Sequence, residues 1–126
     1  MRALLDSTIV IDYLRDVPEA VDRITALLED DDIPLITEVV VCEVATGEPE
    51  PGQPSLQALL EQLEFIQPHY DIALEAGRWR KQAARRGRTL SLPDALIAAA
   101  AFGSDATVLT RNEKDFALTP ARLERY

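Results

Sequence analysis

The segment Arg2–Arg15, RALLDSTIVIDYLR, decides the fold because a short apolar run passes through one acid directly into a helical pattern. Arg2 to Asp6 has the composition of a short buried strand, and Ser7 to Arg15 is predicted to be a helix that begins at once. A strand that leads straight into a helix is typical of the first unit of an α/β protein. Asp6 therefore falls at the carboxyl end of a strand, where open α/β sheets bind ligands.

The same alternation continues along the chain. Apolar spacing and end signals predict four more helices: Pro18–Glu29, Leu56–Phe65, Asp71–Arg86 with Gly87 as its terminator, and a helix opened by Ser91-Leu92-Pro93-Asp94. Further short strands are predicted for Ile33–Ile36, from Ile66 onward, and for Thr107–Thr110. This order predicts an α/β fold in which helices cover both faces of a mainly parallel central sheet.

Two stretches between these elements have a less regular pattern. Thr37 to Thr46 contains four valines that favour a strand, while Thr37 is also a good helix cap, so periodicity leaves both structures open. Gly47 to Ser55 holds three prolines and two glycines, which predicts a surface loop.

Length and composition predict one folded domain over residues 1–126, since 47% of the residues are hydrophobic and 28% are charged. The longest apolar stretch, Ala95–Phe102, is expected to be a buried helix and has only eight residues, whereas a bilayer span needs roughly 20. Asp6 and Asp12 interrupt any apolar region of a secretory signal, so we expect a cytoplasmic protein. Cys42 is the only cysteine, which excludes an internal disulfide, and its thiol is expected to be buried.

The net charge of -9 argues at first against nucleic acid as a partner, but the basic residues are unevenly distributed. Six of the 13 lie in an eleven-residue stretch without acids, from Arg78 to Arg88. One interpretation is a solvated helix face whose cations lie near the negative end of the helix dipole. The other is a strip that binds phosphate groups.

Three acids are candidates for chemistry, and each also has an ordinary structural interpretation. Asp6 is placed to cap the helix that follows it, and Asp94 is placed to form a capping box with Ser91. Glu43 is flanked by apolar residues on both sides, so it either lies on an exposed helix face or is held close to the core.

A fourth group of polar residues follows the strand predicted at Thr107–Thr110. Asn112 is a candidate site residue, although it also suits an ordinary turn. Thr110 and Glu113 have the spacing of a further capping box.

Convergence of the three acids would require a counterion. Two carboxylates about 4 Å apart repel by about 4 kcal/mol at a surface-like dielectric, so the cluster must bind a cation or take up protons. His69 is the only histidine and Cys42 the only cysteine, which does not suit zinc. Ligands that are all oxygens favour Mg2+ or Mn2+.

Four blocks of the sequence resemble the signature blocks of PIN-domain ribonucleases, and more narrowly those of VapC toxins of toxin-antitoxin pairs. They are LLDSTIVIDYLR from Leu4, ITEVVVCEVATG from Ile36, RGRTLSLPDALIAAAA from Arg86 and VLTRNEKDF from Val108. The resemblance runs in order from Leu4 to Phe116. It implies a single PIN-like α/β/α sandwich and a helix for the ambiguous segment after Thr37.

The resemblance also implies roles for individual residues. Asp6, Glu43 and Asp94 would bind Mg2+ or Mn2+, and Asn112 stands at a fourth catalytic position where many relatives have aspartate, which leaves the number of bound metals open. Ser7, Thr110 and Asp115 would support this site from around it.

The activity implied is that of an endoribonuclease that cleaves RNA with a metal-activated water. Arg85, Arg86 and Arg88 would then bind the RNA backbone, and the partners would be a second copy of the chain and a VapB-like antitoxin. Transfer, ribosomal and messenger RNA all remain open as substrates.

Two other functions are weighed against the nuclease. A phosphoacceptor receiver domain has a similar size and acidity, but it requires adjacent acids after the first strand and a late lysine, where this chain has Asp6-Ser7 and Arg111-Asn112. A PIN-like protein that only binds its partner, without catalysis, is kept open by Asn112.

Overall fold

A computed structural model describes residues 1–47 and 54–126, so most of the loop predicted for Gly47 to Ser55 lies outside the described residues. Within them, five strands form one parallel sheet in the order β3-β2-β1-β4-β5. The strands are β1 (Arg2–Leu5), β2 (Ile33–Thr37), β3 (Glu64–Ile66), β4 (Thr107–Leu109) and β5 (Arg122–Glu124). The expected parallel α/β architecture is confirmed.

In the same described ranges, six α-helices connect the strands: α1 (Ser7–Leu14), α2 (Pro18–Glu29), α3 (Glu38–Gly47), α4 (Pro54–Leu60), α5 (Tyr70–Arg85) and α6 (Leu92–Gly103). A short 3-10 helix (Glu113–Phe116) joins β4 to β5. No helix in the described ranges has the length and apolarity needed to cross a membrane. Gly87 follows α5 with φ +70, as expected for a glycine that ends a helix.

The order of the strands creates a switch point in the sheet. From β1 the chain proceeds outward to β2 and β3, and then returns past β1 to form β4 and β5 on its other side. Because parallel crossovers are right-handed, this reversal puts α5 and α6 on the face opposite α1 to α4. The carboxyl ends of β1 and β4 thus flank the crevice in which such sheets bind ligands.

The core is built mainly from the strands and from α6. Leu4 and Leu5 of β1 are fully buried, and so are several alanines of α6, whose small side chains let this helix pack closely. The prediction that Ala95–Phe102 is buried throughout is wrong at its end, because Phe102 is 53% exposed and packs edge-on against Trp79. The prediction of a buried thiol is also wrong, since Cys42 is exposed.

Two predicted segments differ from the structure. The helical spacing of Leu56 to Phe65 holds only to Leu60, because Glu64–Ile66 pairs with β2 as β3. Long-range strand pairing therefore overrides local periodicity there. The valine-rich segment after Thr37 is helical, as the family resemblance implied and against its β propensity. The sequence pattern did not predict β5.

Candidate metal centre

Asp6 lies between β1 and α1 and is held at the switch point by the neighbouring strand. Its backbone N–H donates to the carbonyl of Leu109 at 3.1 Å, which fixes it beside the end of β4. Its side chain makes no capping hydrogen bond to α1. Instead the carboxylate accepts hydrogen bonds from Thr110 Oγ1 at 2.7 Å and from Thr8 Oγ1 at 3.3 Å. Asp6 is thus the N-cap residue of α1 by position, but its carboxylate is bound by the two threonines and does not cap the helix.

The environment of Asp6 disfavours its charge. Burial raises the pKa of its carboxyl group above the usual 3.8, and the nearby carboxylate of Asp115 raises it further. The hydroxyls of Thr110 and Thr8 lower the pKa by hydrogen bonding to the charged form, without cancelling the effect of burial. A carboxyl group with such a perturbed pKa at a switch point is a candidate functional residue.

Glu43 lies on α3 and is only partly accessible to solvent. Among the residues that the structure describes, its Oε1 is the one buried side-chain oxygen or nitrogen without a hydrogen-bond partner. Burial raises the pKa of Glu43, and so do the charges of Asp6 and Asp94, while the nearby Ser7 hydroxyl opposes the shift. An unpartnered oxygen in an acidic environment does not fit the alternative of an exposed helix face.

Asp94 contacts the cap of α6 and lies near other acids. Its backbone N–H donates to Ser91 Oγ at 3.2 Å, and the same hydroxyl donates to Asp94 Oδ2 at 2.7 Å, so Ser91 caps α6. Burial raises the pKa of Asp94, Ser91 lowers it, and the charges of Asp115 and Asp6 raise it again. Ser91 is therefore the cap, and the Asp94 carboxylate accepts from the Ser91 hydroxyl instead of the backbone N–H that a capping box would use.

The four acids form one electrostatic cluster, which we call the acid cluster: Asp6, Glu43, Asp94 and Asp115. None of them forms a salt bridge with a basic residue in the described part of the chain. Within residues 1–47 and 54–126, no three acidic, histidine or cysteine side chains already have the arrangement needed to hold a metal ion. The acids thus shift one another's pKa, but their carboxylates do not surround a common position for an ion.

The acid cluster nevertheless suits a hard divalent cation. Its donors are all oxygens, its charge is not compensated, and Glu43 Oε1 is not committed to another group. Glu43 Oε1 accepts no hydrogen bond and is available to a bound ion, while the Ser7 hydroxyl is a partner of the same carboxyl group.

The remaining predicted site residues surround Asp6. Thr110 is fully buried, and its hydroxyl donates a hydrogen bond to Asp6. The expected capping box with Glu113 does not form, because the Thr110 hydroxyl accepts from the backbone N–H of Asn112 at 2.9 Å. Asn112 itself is exposed at the start of the 3-10 helix. The sequence pattern did not point to Thr8, although its place two residues after the acid was a possible signal.

The basic stretch lies at the end of α5, close to Asp94 along the chain. Arg85, Arg86 and Arg88 are exposed. Arg80 Nε donates to the carbonyl of Leu90 at 3.0 Å, which ties this end of α5 to the residue before Ser91. Arg80 thus links the C-terminal part of α5 to the residue that precedes the cap of α6.

Comparisons with known proteins agree with this geometry. The family model of the PIN domain matches residues 3–121. The chain is 31% identical over 117 residues to Ribonuclease VapC19 of Mycobacterium tuberculosis, which covers 93% of this chain and 94% of that protein. It is also similar to the Rickettsia felis VapBC2 structure bound to a promoter DNA fragment, with a TM-score of 0.82, 22% identity and coverage of 100% and 99%.

A toxin-antitoxin complex from Klebsiella pneumoniae is a further structural neighbour, with a TM-score of 0.75, 31% identity and coverage of 94% and 92%. The chain therefore belongs to the PIN-domain family, as its four sequence blocks implied. The narrower resemblance to VapC proteins is confirmed as well.

Proposed function

We propose that this protein is a metal-dependent endoribonuclease, acting as the toxin of a toxin-antitoxin pair through one PIN-like domain over residues 1–126. The observation that carries this proposal is an uncompensated acid cluster at the switch point of the sheet, with Glu43 Oε1 left without a partner. Similarity to ribonucleases named VapC supports RNA as the substrate.

Asp6, Glu43 and Asp94 would hold Mg2+ or Mn2+. The ion, when bound, lowers the pKa of a coordinated water and stabilises negative charge at the scissile phosphate. Thr110 and Thr8 keep Asp6 in one orientation through their hydroxyls, and Ser91 does the same for Asp94. No side chain needs to form a covalent intermediate, because the nucleophile is water.

Asn112 and Asp115 would complete the site. Asp115 already acts on Asp6 and Asp94 through its charge, while Asn112 contributes a neutral amide next to Thr110. A neutral residue at this position favours one tightly held ion over two, since fewer negative charges are available.

The exposed cations of α5 suit the RNA backbone. Arg85, Arg86 and Arg88 are exposed in the segment that leads from α5 to Asp94, so they would bind the RNA backbone next to the scissile phosphate. Arginine binds phosphate oxygens in a bidentate way, and the attraction also offsets the negative net charge of the chain.

Two protein partners are proposed from the same family membership: a VapB-like antitoxin and a second copy of the chain. A VapB-like antitoxin is supported by neighbours that are toxin-antitoxin complexes, and an acidic pocket would attract one of its basic side chains. An RNA substrate and such a partner would both be met in the cytoplasm.

A homodimer is supported by an open, mainly apolar cavity of about 690 Å³ between α3, β3 and α6, whose lining also includes Glu43 of the acid cluster. Its lining includes Phe65, which is 41% exposed, and the exposed Leu92. Phe65→Lys should give a monomer in sedimentation velocity. Leu74→Lys, an exposed leucine outside this cavity, should leave the dimer unchanged.

The nuclease proposal is tested on purified protein with total RNA. Mn2+ should support cleavage, EDTA should abolish it, and Asp94→Asn should abolish it while keeping the hydrogen bond with Ser91. Asp22→Asn, an exposed aspartate outside the acid cluster, is the matched control and should cleave normally. Equal cleavage under all these conditions would rule out the metal mechanism.

The same preparation separates the alternatives. A PIN-like protein without catalysis would bind Mn2+ and yet leave RNA intact. A phosphoacceptor would form a stable acyl phosphate with a small phosphodonor, which a nuclease would not.

A further inference from the structure

A second polar cluster lies beside the acid cluster and plays no part in the proposed chemistry. Asp12 on α1 is buried, with 12% of its side chain exposed, and its Oδ2 forms an ion pair with Arg111 Nη2. The same oxygen accepts a hydrogen bond from the Tyr126 hydroxyl. The guanidinium carbon of Arg111 lies 5.5 Å from the centre of the Tyr126 ring, so the three side chains contact each other pairwise.

Arg111 connects this triad to Asp6. Its backbone N–H donates to Thr8 Oγ1 at 3.2 Å, and Thr8 in turn donates to Asp6 Oδ2. Its guanidinium group is held by Asp12, one helical turn after Thr8 on the same face of α1. Arg111 is therefore fastened to α1 through both its backbone and its side chain.

The residues on either side of Arg111 belong to the site. Thr110 donates to Asp6, and Asn112 donates through its backbone to Thr110. Fixing Arg111 therefore fixes the position of the whole turn from Thr110 to Asn112 relative to α1 and Asp6.

Stability alone is a weak reason for such a cluster. The Arg111 side chain is 48% exposed, so water screens its ion pair with Asp12, and such pairs contribute little to stability. Burial and the hydrogen bond to Asp12 raise the pKa of Tyr126 to about 12, so its hydroxyl stays a donor over the whole physiological range. What the triad provides is a fixed geometry.

We propose that Asp12, together with Tyr126, is a positioning residue of the metal centre: it holds Arg111 so that Thr110 and Asn112 keep their places around Asp6. This inference rests on the proposed function, because it assumes that the acid cluster binds a divalent ion. It assigns to Asp12 no contact with the metal or the RNA.

The test uses the full chain and Mn2+ as the probe. Asp12→Asn keeps the size of the side chain and removes its charge, and Tyr126→Phe removes only the hydroxyl. The dissociation constant for Mn2+ is measured by electron paramagnetic resonance well below the melting temperature, together with kcat and KM for RNA cleavage. Asp105→Asn, which breaks the surface ion pair with Arg122, is the matched control.

We expect Asp12→Asn to weaken Mn2+ binding by about tenfold, as for other residues that orient metal ligands, and to lower kcat with KM unchanged. Tyr126→Phe should act in the same direction by about threefold on the same scale. Asn112→Ala should have a smaller effect on Mn2+ affinity in the Asp12→Asn background than in the wild type, because the turn is already displaced there.

A purely structural role would give a different pattern. A lower melting temperature with unchanged Mn2+ affinity in both variants would overturn the proposal, and so would fully additive effects of Asp12→Asn and Asn112→Ala. If Asp12→Asn does not fold, Tyr126→Phe alone decides the question. Failure of the wild-type protein to bind Mn2+ would instead refute the proposed function, and that result is visible before any variant is measured.

Discussion

Glu43 is the residue whose replacement should most clearly separate stability from function. Glu43→Gln keeps the shape of the side chain and removes one negative charge from the acid cluster. Two carboxylates repel by about 4 kcal/mol when they are about 4 Å apart at an effective dielectric constant of about 20, and greater separation and partial solvent exposure reduce this repulsion. We therefore expect the metal-free variant to be more stable than the wild type by about 1 kcal/mol, or about 4 °C in melting temperature.

The extra stability of Glu43→Gln over the wild type should decrease as the pH falls. The pKa of Glu43 is raised in the folded state, first by burial and then by the charges of Asp6 and Asp94. The wild type therefore binds more protons when folded, and becomes more stable as pH falls through the raised pKa. This stabilisation is complete below the ordinary value of 4.5, so the advantage of Glu43→Gln should disappear there. A gain that is independent of pH would mean that charge is not its cause.

Bound Mn2+ should make the wild type more stable than Glu43→Gln, the opposite of the order without metal. An ion present at about 100 times its dissociation constant stabilises the wild type by about 2.7 kcal/mol, which corresponds to roughly 10 °C, while the variant should show almost no shift. Differential scanning calorimetry with and without Mn2+ measures both effects. Glu61→Gln, an exposed glutamate outside the cluster, should behave as the wild type. A variant that is less stable without metal, or that keeps the full Mn2+ shift, would refute this reasoning.

Three further predictions concern other parts of the molecule. Phe116→Ala should lower the free energy of unfolding in urea by about 3 to 5 kcal/mol, because Phe116 is fully buried and its loss leaves a cavity; a cost under about 1 kcal/mol would show that this core is loosely packed. A triple variant that replaces Arg85, Arg86 and Arg88 by Gln should bind single-stranded RNA with a weaker salt dependence: the slope of log affinity against log salt concentration should fall by about 2. Fluorescence anisotropy measures this slope. Arg15→Gln, which changes an exposed arginine outside the basic stretch, should leave the slope unchanged. Ultraviolet titration should show one tyrosine that ionises at about pH 12 and is lost in Tyr126→Phe; since the folded pKa lies above the ordinary 10.0, the stability that Tyr126 contributes is present below pH 10 and is lost as pH rises to about 12.

The fold is largely readable from the sequence where local signals and tertiary contacts agree. The junction at Asp6 and the glycine stop at Gly87 are such cases, because a buried parallel strand and a left-handed glycine each leave a local pattern. The helix α3 and the strand β3 could not be predicted from local patterns. The valines of α3 favour a strand, and β3 lies in a segment with helical spacing. In both, packing on the sheet decides the structure.

Asp6 and Asp94 could be predicted because the first follows a strand and the second opens a helix, whereas Glu43 was indicated by its apolar neighbours and by the family resemblance. The side chains that hold these acids in position could not be predicted from the sequence. Thr8 and Arg111 meet across 103 residues of sequence, and Tyr126 reaches Asp12 across 114, so no local pattern links them. The pairing of β1 with β4 brings Thr8 and Arg111 together, and the pairing of β4 with β5 adds Tyr126.

Anomalous diffraction from crystals soaked in Mn2+ tests the metal centre most directly. We expect one strong manganese peak bonded to carboxylate oxygens of Asp6, Glu43 and Asp94, with Glu43 Oε1 turned to the ion. A peak elsewhere, or none at saturating Mn2+, would contradict the assignment of these three acids as a metal site.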